Sequence, residues 1–393
     1  MPEDKLCYTL GCKYTCIMAN FFTRFLNKLR PKDDNVLGVD VGASSIKVVQ
    51  LGRKGDGAVL ETYGEISLGP YAGLEVGRAT NLTYEKIVVA LKDVLRESKT
   101  TTKKCGMAIP IVSSLVSVIE MPEMSDKELS KMVPIEARKY VPVPITEVAL
   151  DWWVIPKEEQ TQIGGPLPKA AEPVTPRIPN IEVLLAVIHN DAISKYQNIS
   201  KNASLESRFF EIEIFSSIRA TLDHAAGTVM VLDFGAASTK LYIIEKGILR
   251  KSHIIDRGSQ DITLAISQSL QIPVAEAEIM KREIGYSSDP KYSTLAEIIP
   301  LTLEYIFSET NHVIVSYQRQ TRKNVEKVIL TGGGVNLKGF TDIVRQTIEN
   351  PIEIADPYSK VEAPAFLGNM LRSAGPEFAV ALGVALRRLK DSE

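Results

Sequence analysis

Two aspartates, each two residues ahead of a glycine, are the side chains in this sequence best placed to do chemistry. Asp40 lies in Leu37-Gly-Val-Asp-Val-Gly-Ala-Ser-Ser-Ile-Lys-Val-Val-Gln-Leu51, and Asp233 in Met230-Val-Leu-Asp-Phe-Gly-Ala-Ala-Ser-Thr-Lys-Leu-Tyr-Ile-Ile244. Asp40, Gly42, Ala43, Ser45 and Lys47 align without a gap with Asp233, Gly235, Ala236, Ser238 and Lys240. Glycine lets backbone N–H groups approach an anion, and Ser44, Ser45 and Ser238 add hydroxyl donors. A carboxylate repels phosphate, but it can hold Mg²⁺ through water, since that ion keeps several waters and takes few carboxylates. One such copy reads as a hairpin turn and nothing more. Two matched copies, with the run Thr331-Gly-Gly-Gly-Val335, point to a nucleotide held between two jaws. Gly42, Ala43, Ser44, Ser45, Gly235, Ala236 and Ser238 are then the phosphate-binding candidates, with Asp40 and Asp233 on the magnesium ion. Lys47 leaves the first turn and either reaches a phosphate or is solvated.

The elements that must position these groups follow from the pattern. Apolar runs flank each turn, so each copy predicts strand, turn, strand. Val36–Gln50 and Ala58–Ile66 make a three-strand meander. Tyr84–Glu97 carries Ile87, Val88, Leu91, Val94 and Leu95 at helical spacing, and Cys105–Pro110 reads as a buried strand. That order suits a ribonuclease-H-type lobe with a mixed sheet. Strands at Leu115–Glu120, Val148–Ile155 and Ile181–Ile188, with helices from Ser125 to about Tyr140 and over Asp191–Asn202, form a small β-α-β-β-α unit. Ser125-Asp-Lys-Glu128 has the form of a capping box. Pro156–Pro179 is rich in Pro and Gly and reads as a loop. The adjacent Trp152 and Trp153 serve either a small core or a partner surface, and alternation along a strand turns at least one of them outward. Farther on, helices are expected over Ile254–Leu270, Val274–Ile284 and Leu295–Arg322. Val325–Leu330 is a strand running into the glycines, where the backbone can approach a nucleotide, and Asn336 and Lys338 open the next helix.

Composition sets outer limits. The 393 residues suffice for two or three domains. With 46 basic against 48 acidic residues the net charge is −2, which gives no basic footprint for nucleic acid. No run of 18 apolar residues and no signal-peptide core occur, and four cysteines fit a reducing compartment, so a cytoplasmic location is expected. Cys7, Cys12 and Cys16 cluster without the second pair and histidines that a zinc site needs; a tail, or a natural start at Met18, explains them better. Met18, Phe21, Phe22, Phe25, Leu26 and Leu29 form an amphipathic helical stripe. It suits either a membrane surface, with Arg24, Lys28 and Arg30 beside it, or packing on protein. There is no P-loop and no dinucleotide fingerprint.

Paired Asp-x-Gly hairpins followed by a Gly-Gly-Gly turn resemble the actin-like ATPase fold of actin, DnaK-type chaperones, sugar kinases, MreB and FtsA. The details are most similar to the PilM family of the type IV pilus inner-membrane platform, over roughly residues 36 to 390. Pro134-Ile-Glu-Ala-Arg-Lys-Tyr-Val-Pro-Val-Pro144, followed by Asp151-Trp152, looks specifically like that family, and Glu276-Ala-Glu-Ile-Met-Lys-Arg-Glu-Ile-Gly285 resembles a segment shared with FtsA.

The resemblance implies an α/β fold of two related, ribonuclease-H-like lobes around a nucleotide cleft, with an inserted small α+β subdomain of the SHS2 type. The implied layout is an N-terminal extension with an amphipathic helix (1–35), a first lobe (36–112 and 203–227), the insertion (113–202) and a second lobe with a C-terminal return helix (228–393). Glu213 falls at the start of a connecting helix, where the fold places a residue that orients the attacking water; on the residues alone it is equally a helix-start Glu. Glu278 and Lys281 would meet ribose and base, with Gly332, Gly333 and Gly334; by periodicity they are a charged helix face. Phe378–Leu386 resembles the second connecting helix. FtsA carries a membrane helix after this point, and no long amphipathic stretch follows Leu389 here.

For function, the resemblance implies an ATP- and Mg²⁺-binding scaffold with slow or no hydrolysis, cytoplasmic and peripheral to the inner membrane. It would dock to the N-terminal cytoplasmic peptide of PilN, contact other platform proteins and the assembly motor, and self-associate. The alternatives on the same fold are an ATP-dependent phosphotransferase and an FtsA- or MreB-like membrane-associated filament.

Overall fold

Strand β1 (Asn35–Val41) pairs antiparallel with β2 (Ser45–Lys54), and β2 with β3 (Gly57–Ser67). Two parallel strands, β4 (Lys104–Ile109) and β8 (Glu206–Ile212), complete a five-stranded sheet in the order β3-β2-β1-β4-β8. A second sheet repeats this plan. Its β9 (Thr228–Phe234), β10 (Thr239–Glu245) and β11 (Ile248–Ile255) form the meander, with β12 (Lys327–Thr331) and β13 (Ile352–Ile354) parallel beside β9, giving β11-β10-β9-β12-β13. The chain is thus an internal duplication at the level of topology. β9 is buried along its whole length, as expected for a strand covered on both faces.

The structure, a computed structural model, describes residues 35–55, 57–156, 179–223 and 227–390, with side chains to Arg387. The three N-terminal cysteines, the Met18–Leu29 stripe and most of the Pro/Gly-rich loop lie outside the described residues. The chain divides into two compact units: Val112–Asp191, and the remainder, which contains both five-stranded sheets.

The smaller unit is a three-stranded antiparallel sheet, β5 (Ser114–Pro122), β7 (Asn180–His189) and β6 (Val148–Ile155) in spatial order, with α2 (Asp126–Ala137). Leu129, Val133 and Ala137 of α2 bury against Ile119, Val183, Leu185 and Val187. Glu128 accepts from both the backbone N–H (3.0 Å) and the hydroxyl (2.7 Å) of Ser125, so the expected box closes the helix start. The helix stops at Ala137, short of the expected Tyr140. Trp152 packs on this core while Trp153 stands outside it, as alternation requires. α3 (Asn190–Asn202) leads the chain onward.

In the larger unit, α1 (Tyr84–Glu97) lays Ile87, Leu91 and Val94 against the β2–β3 side of the first sheet. The opposite face receives α9 (Gly368–Lys390), whose Phe378, Ala381, Leu382 and Ala385 pack on Val36, Val49 and Leu51. α9 also crosses α4 (Glu213–Thr221). Gly383 makes that crossing possible: a Cβ there would lie 1.9 Å from the Ser216 carbonyl oxygen. The second sheet buries its core under α5 (Ser259–Leu270), α6 (Val274–Glu283), α7 (Ser293–Thr321) and α8 (Phe340–Thr347).

Three expectations needed correction. Ile254 and Ile255 end strand β11, and the helix starts only at Ser259; an apolar run is ambiguous between strand and helix until its pairing is known. The resemblance places the connecting helix over Glu211–Leu222, whereas Glu211 is the penultimate residue of β8 and α4 spans Glu213–Thr221. Asn336 and Lys338 precede α8, which starts at Phe340 after a 3₁₀ turn over Gly333–Asn336.

A buried charge cluster pins the α4–α9 crossing. Arg219 grips Glu211 through Nη2–Oε1 (2.6 Å) and Nη1–Oε2 (2.8 Å), Ser216 Oγ donates to Oε2 at 2.5 Å, and Arg387 Nη1 reaches Oε1 at 3.2 Å. Burial opposes the charge on Glu211, but Arg219 and then Arg387 outweigh it and hold the carboxyl below its ordinary pKa.

Candidate functional site

The two hairpins face one cleft. At the first, Gly42 N–H donates to the Ser45 carbonyl (2.9 Å); at the second, Gly235 N–H donates to the Ser238 carbonyl (3.1 Å). The register places Asp40 opposite Lys47 and Asp233 opposite Lys240. A cleft of about 360 Å³ is lined by both turns, including Gly42, Ala43, Ser44 and Ser45 on one side and Gly235, Ala236 and Ser238 on the other. Asp40, Asp233, Lys47, Glu213, Glu278, Lys281 and Gly332, Gly333 and Gly334 line it too. The candidates for phosphate, magnesium, water and adenosine contacts therefore border the same space, although they come from separate stretches of the chain.

The electrostatics at the cleft floor are tight. Asp40, Asp233 and Glu213 are three carboxylates beside two ammonium groups, Lys47 and Lys240. Burial raises the Asp40 pKa to about 6; Lys47 and Lys240 counteract this, while Glu213 and Asp233 reinforce it. Asp233 is raised too, by burial first, with Lys240 opposing. Lys240 donates to Glu213 Oε2 at 2.6 Å and lies 3.9 Å from Asp233 Oδ2. Burial works against its charge, but Glu213 and Asp233 more than offset this and its pKa rises. Glu213 Oε1 accepts the backbone N–H of Ile111 at 2.8 Å. Among the described residues, no cluster of three or more His, Cys, Asp and Glu side chains is arranged to ligate a metal directly.

Lys47 makes a different set of bonds. Its Nζ donates to Ser45 Oγ (2.6 Å) and pairs with Glu65 Oε1 (3.1 Å) and Glu377 Oε1 (3.6 Å). Burial of Lys47 is outweighed by Glu65 and Glu377, which push its pKa up. The two glutamates divide the cost. Burial, the nearby charge of Glu65 and a hydrogen bond to it push Glu377 to about 7 against the pull of Lys47. Glu65, with burial opposing, is held below its ordinary value by Lys47, the Ser45 hydroxyl and Glu377. Such a pair titrates as a unit.

At the other end, Glu278 is buried on α6. It receives Lys281 Nζ (2.7 Å), Arg282 Nε (2.6 Å) and Thr263 Oγ1 (2.6 Å). Burial disfavours its charge, but Lys281 leads a set of partners that keeps its pKa low; burial lowers that of Lys281. The Gly-rich turn sits against Asp233. Gly332 adopts φ +89°, and a Cβ there would fall 2.4 Å from Asp233 Oδ1. Its N–H and the Thr331 hydroxyl both donate to the Pro376 carbonyl of α9, at 2.8 and 2.9 Å.

Glu65, Glu377, Arg282 and Ser217 were not singled out from the sequence, yet all line the cleft. Ser217 Oγ is buried with no hydrogen-bond partner among the described residues. Lys240 stood in the aligned repeat, and its match to Lys47 was the signal that could have marked it. Glu377 carries no local signal, because only the packing of α9 brings it to Lys47.

Two lobes of one topology, with paired hairpins and a Gly-rich turn around a common cleft, define an actin-like α/β fold. A family model described as type IV pilus assembly protein PilM matches residues 38–389, and the chain belongs to that family. Among solved structures, it superimposes on the PilM-PilN type IV pilus biogenesis complex with a TM-score of 0.74 at 23% identity, covering 91% of this chain and 99% of that one. MreB5 of Spiroplasma citri, solved with ADP, aligns with a TM-score of 0.51 at 12% identity over 92% of this chain and 98% of that one. Cell division protein FtsA of Neisseria meningitidis serogroup B is 24% identical over 375 residues, 88% of each chain. Among the described residues, no helix is long and apolar enough to cross a membrane.

Proposed function

We propose that this chain is an actin-like, ATP-binding component of the type IV pilus assembly machinery. In this reading it docks to the N-terminal cytoplasmic peptide of PilN, holds MgATP between its lobes and hydrolyses it slowly or not at all. Membership of the PilM family and likeness to the PilM-PilN complex support the partner. The observation that carries the nucleotide reading is the convergence of both hairpins, Glu278, Lys281 and the Gly332–Gly334 turn on one cleft.

The donor set suits the ligand. The Gly42–Ser45 and Gly235–Ser238 turns offer backbone N–H groups and hydroxyls to phosphates, and Lys47 adds a cation. Glu278, Lys281 and Thr263 offer acceptors and donors for a ribose. Asp40 and Asp233 would hold Mg²⁺ through its waters, the ion supplying positive charge against the phosphates. Three carboxylates stand beside two ammonium groups at the cleft floor, and burial first, then Glu213 and Asp233, disfavours the charge of Asp40; a cation would relieve both. Glu213 is the candidate for orienting a water. With its docked peptide tethered to a membrane protein, the chain would sit at the cytoplasmic face of the inner membrane. In this reading the chain comprises a first lobe, an inserted subdomain and a second lobe, preceded by the N-terminal extension.

The test mixes labelled ATP with near-stoichiometric protein and Mg²⁺, with Asp40→Ala as control, and titrates a peptide of the PilN N-terminus in parallel. Tight ATP retention with little phosphate released, lost in Asp40→Ala, is expected, as is saturable peptide binding. Rapid turnover, or transfer of label to a metabolite, would replace this reading with a phosphotransferase. Absence of peptide binding would remove the PilN assignment.

A further inference from the structure

Glu213 is placed at the start of α4 in the first lobe, but neither of its carboxylate oxygens is idle. Oε1 accepts the Ile111 N–H at 2.8 Å, and Oε2 accepts Lys240 Nζ at 2.6 Å. Lys240 belongs to β10 of the second lobe, so this ion pair crosses the cleft. With one oxygen held by a backbone N–H and the other by an ammonium, the carboxylate must give up one of these bonds before it can turn to a water in the cleft. Both side chains are largely shielded from water, at 17% and 7% exposure, so solvent screening does little to loosen the pair.

We propose that Lys240 restrains Glu213, so that ATP bound in this cleft is held rather than hydrolysed. The inference rests on the nucleotide reading above. In the step concerned, a water oxygen bonds to the γ-phosphorus as the bond from that phosphorus to the bridging oxygen breaks. ADP departs with that electron pair, and the water proton passes to Glu213 and on to the solvent. While Lys240 holds Oε2 and the Ile111 N–H holds Oε1, both oxygens are directed at these donors and not at the attacking water. The duplicated hairpin supplies an internal contrast. Lys47 occupies the equivalent register position but pairs with Glu65 and Glu377, neither of which is at a connecting-helix start facing both hairpins. Lys240 is thus a positioning residue that acts through Glu213.

The experiment uses the full chain in excess over γ-labelled ATP with Mg²⁺ and follows phosphate release from bound nucleotide, with binding measured separately by equilibrium dialysis. Lys240→Met and Lys240→Gln should hydrolyse bound ATP at least roughly tenfold faster than the wild type, a fraction of what a general base supplies. Lys240→Arg, which keeps the cation, should stay at the wild-type rate. Adding Glu213→Gln to Lys240→Met should abolish the gain, which a merely structural loosening would not do. Bound ATP turning over no faster in both neutral variants would overturn the proposal, as would a gain that survives Glu213→Gln. Loss of ATP binding in both variants would assign Lys240 to holding nucleotide and would equally overturn it. Failure of the wild type to bind ATP would instead remove the nucleotide reading itself.

Discussion

Lys240 and Glu213 meet at 2.6 Å across the cleft, and the same ammonium lies 3.9 Å from Asp233. One lysine therefore serves two of the three carboxylates at the floor, and the larger of the two cationic influences on Asp40 is Lys47, which is already shared with Glu65 and Glu377. That imbalance governs how the site responds to protons and cations.

Asp40 titrates near pH 6 in the folded chain, above its ordinary 3.8. A carboxyl with a raised folded-state pKa binds its proton more tightly when folded, so its contribution favours folding at low pH and turns unfavourable as pH climbs through 3.8 to about 6. A cation requires the ionised form. Added Mg²⁺ should therefore raise the melting temperature more at about pH 8 than at about pH 5. Asp40→Asn should remove most of that difference in a thermal-shift titration.

Glu377 carries the same sign. Its pKa moves from 4.5 to about 7, so ionising it costs folding free energy that is fully present above pH 7. The cost is absent below pH 4.5 and grows up to about pH 7, so Glu377→Gln should stay close to the wild type in urea denaturation at about pH 4 and exceed it at about pH 8. Equal midpoints at both pH values would contradict the shared-proton arrangement with Glu65.

The Glu211 cluster should behave as a structural tie. Glu211→Ala deprives Arg219 and Arg387 of their common carboxylate inside the crossing of α4 and α9. Breaking a buried pair in this way costs about 3–5 kcal/mol, so chemical denaturation should show a shift of that order. Glu211→Gln keeps acceptor and shape and should lose less.

Gly332→Ala tests the contact between the Gly-rich turn and Asp233. Left-handed backbone at a non-glycine residue costs about 1–3 kcal/mol, and the added methyl would displace Asp233 Oδ1. ATP affinity should fall by roughly tenfold or more, on the scale of about 1.4 kcal/mol per decade, while far-ultraviolet circular dichroism stays unchanged.

The sequence by itself determined the paired hairpins and their gapless Asp-x-Gly correspondence, because each is written in local periodicity and turn chemistry; the actin-like plan came from the resemblance that these motifs carry. It also determined most strands and helices, among them Tyr84–Glu97 and Val148–Ile155, whose observed bounds match the pattern. The apolar run at Ile254 and Ile255 misled, since β11 owes its strand form to pairing with β10. What only the tertiary structure decided is which charges answer one another. Glu65 meets Lys47 through strand register, Glu377 meets it because α9 packs across the first sheet, and Lys240 meets Glu213 because two lobes close on one cleft. Electrostatic energy depends on separation in space and on burial, and residues 27 or 330 positions apart carry no trace of either in their order along the chain.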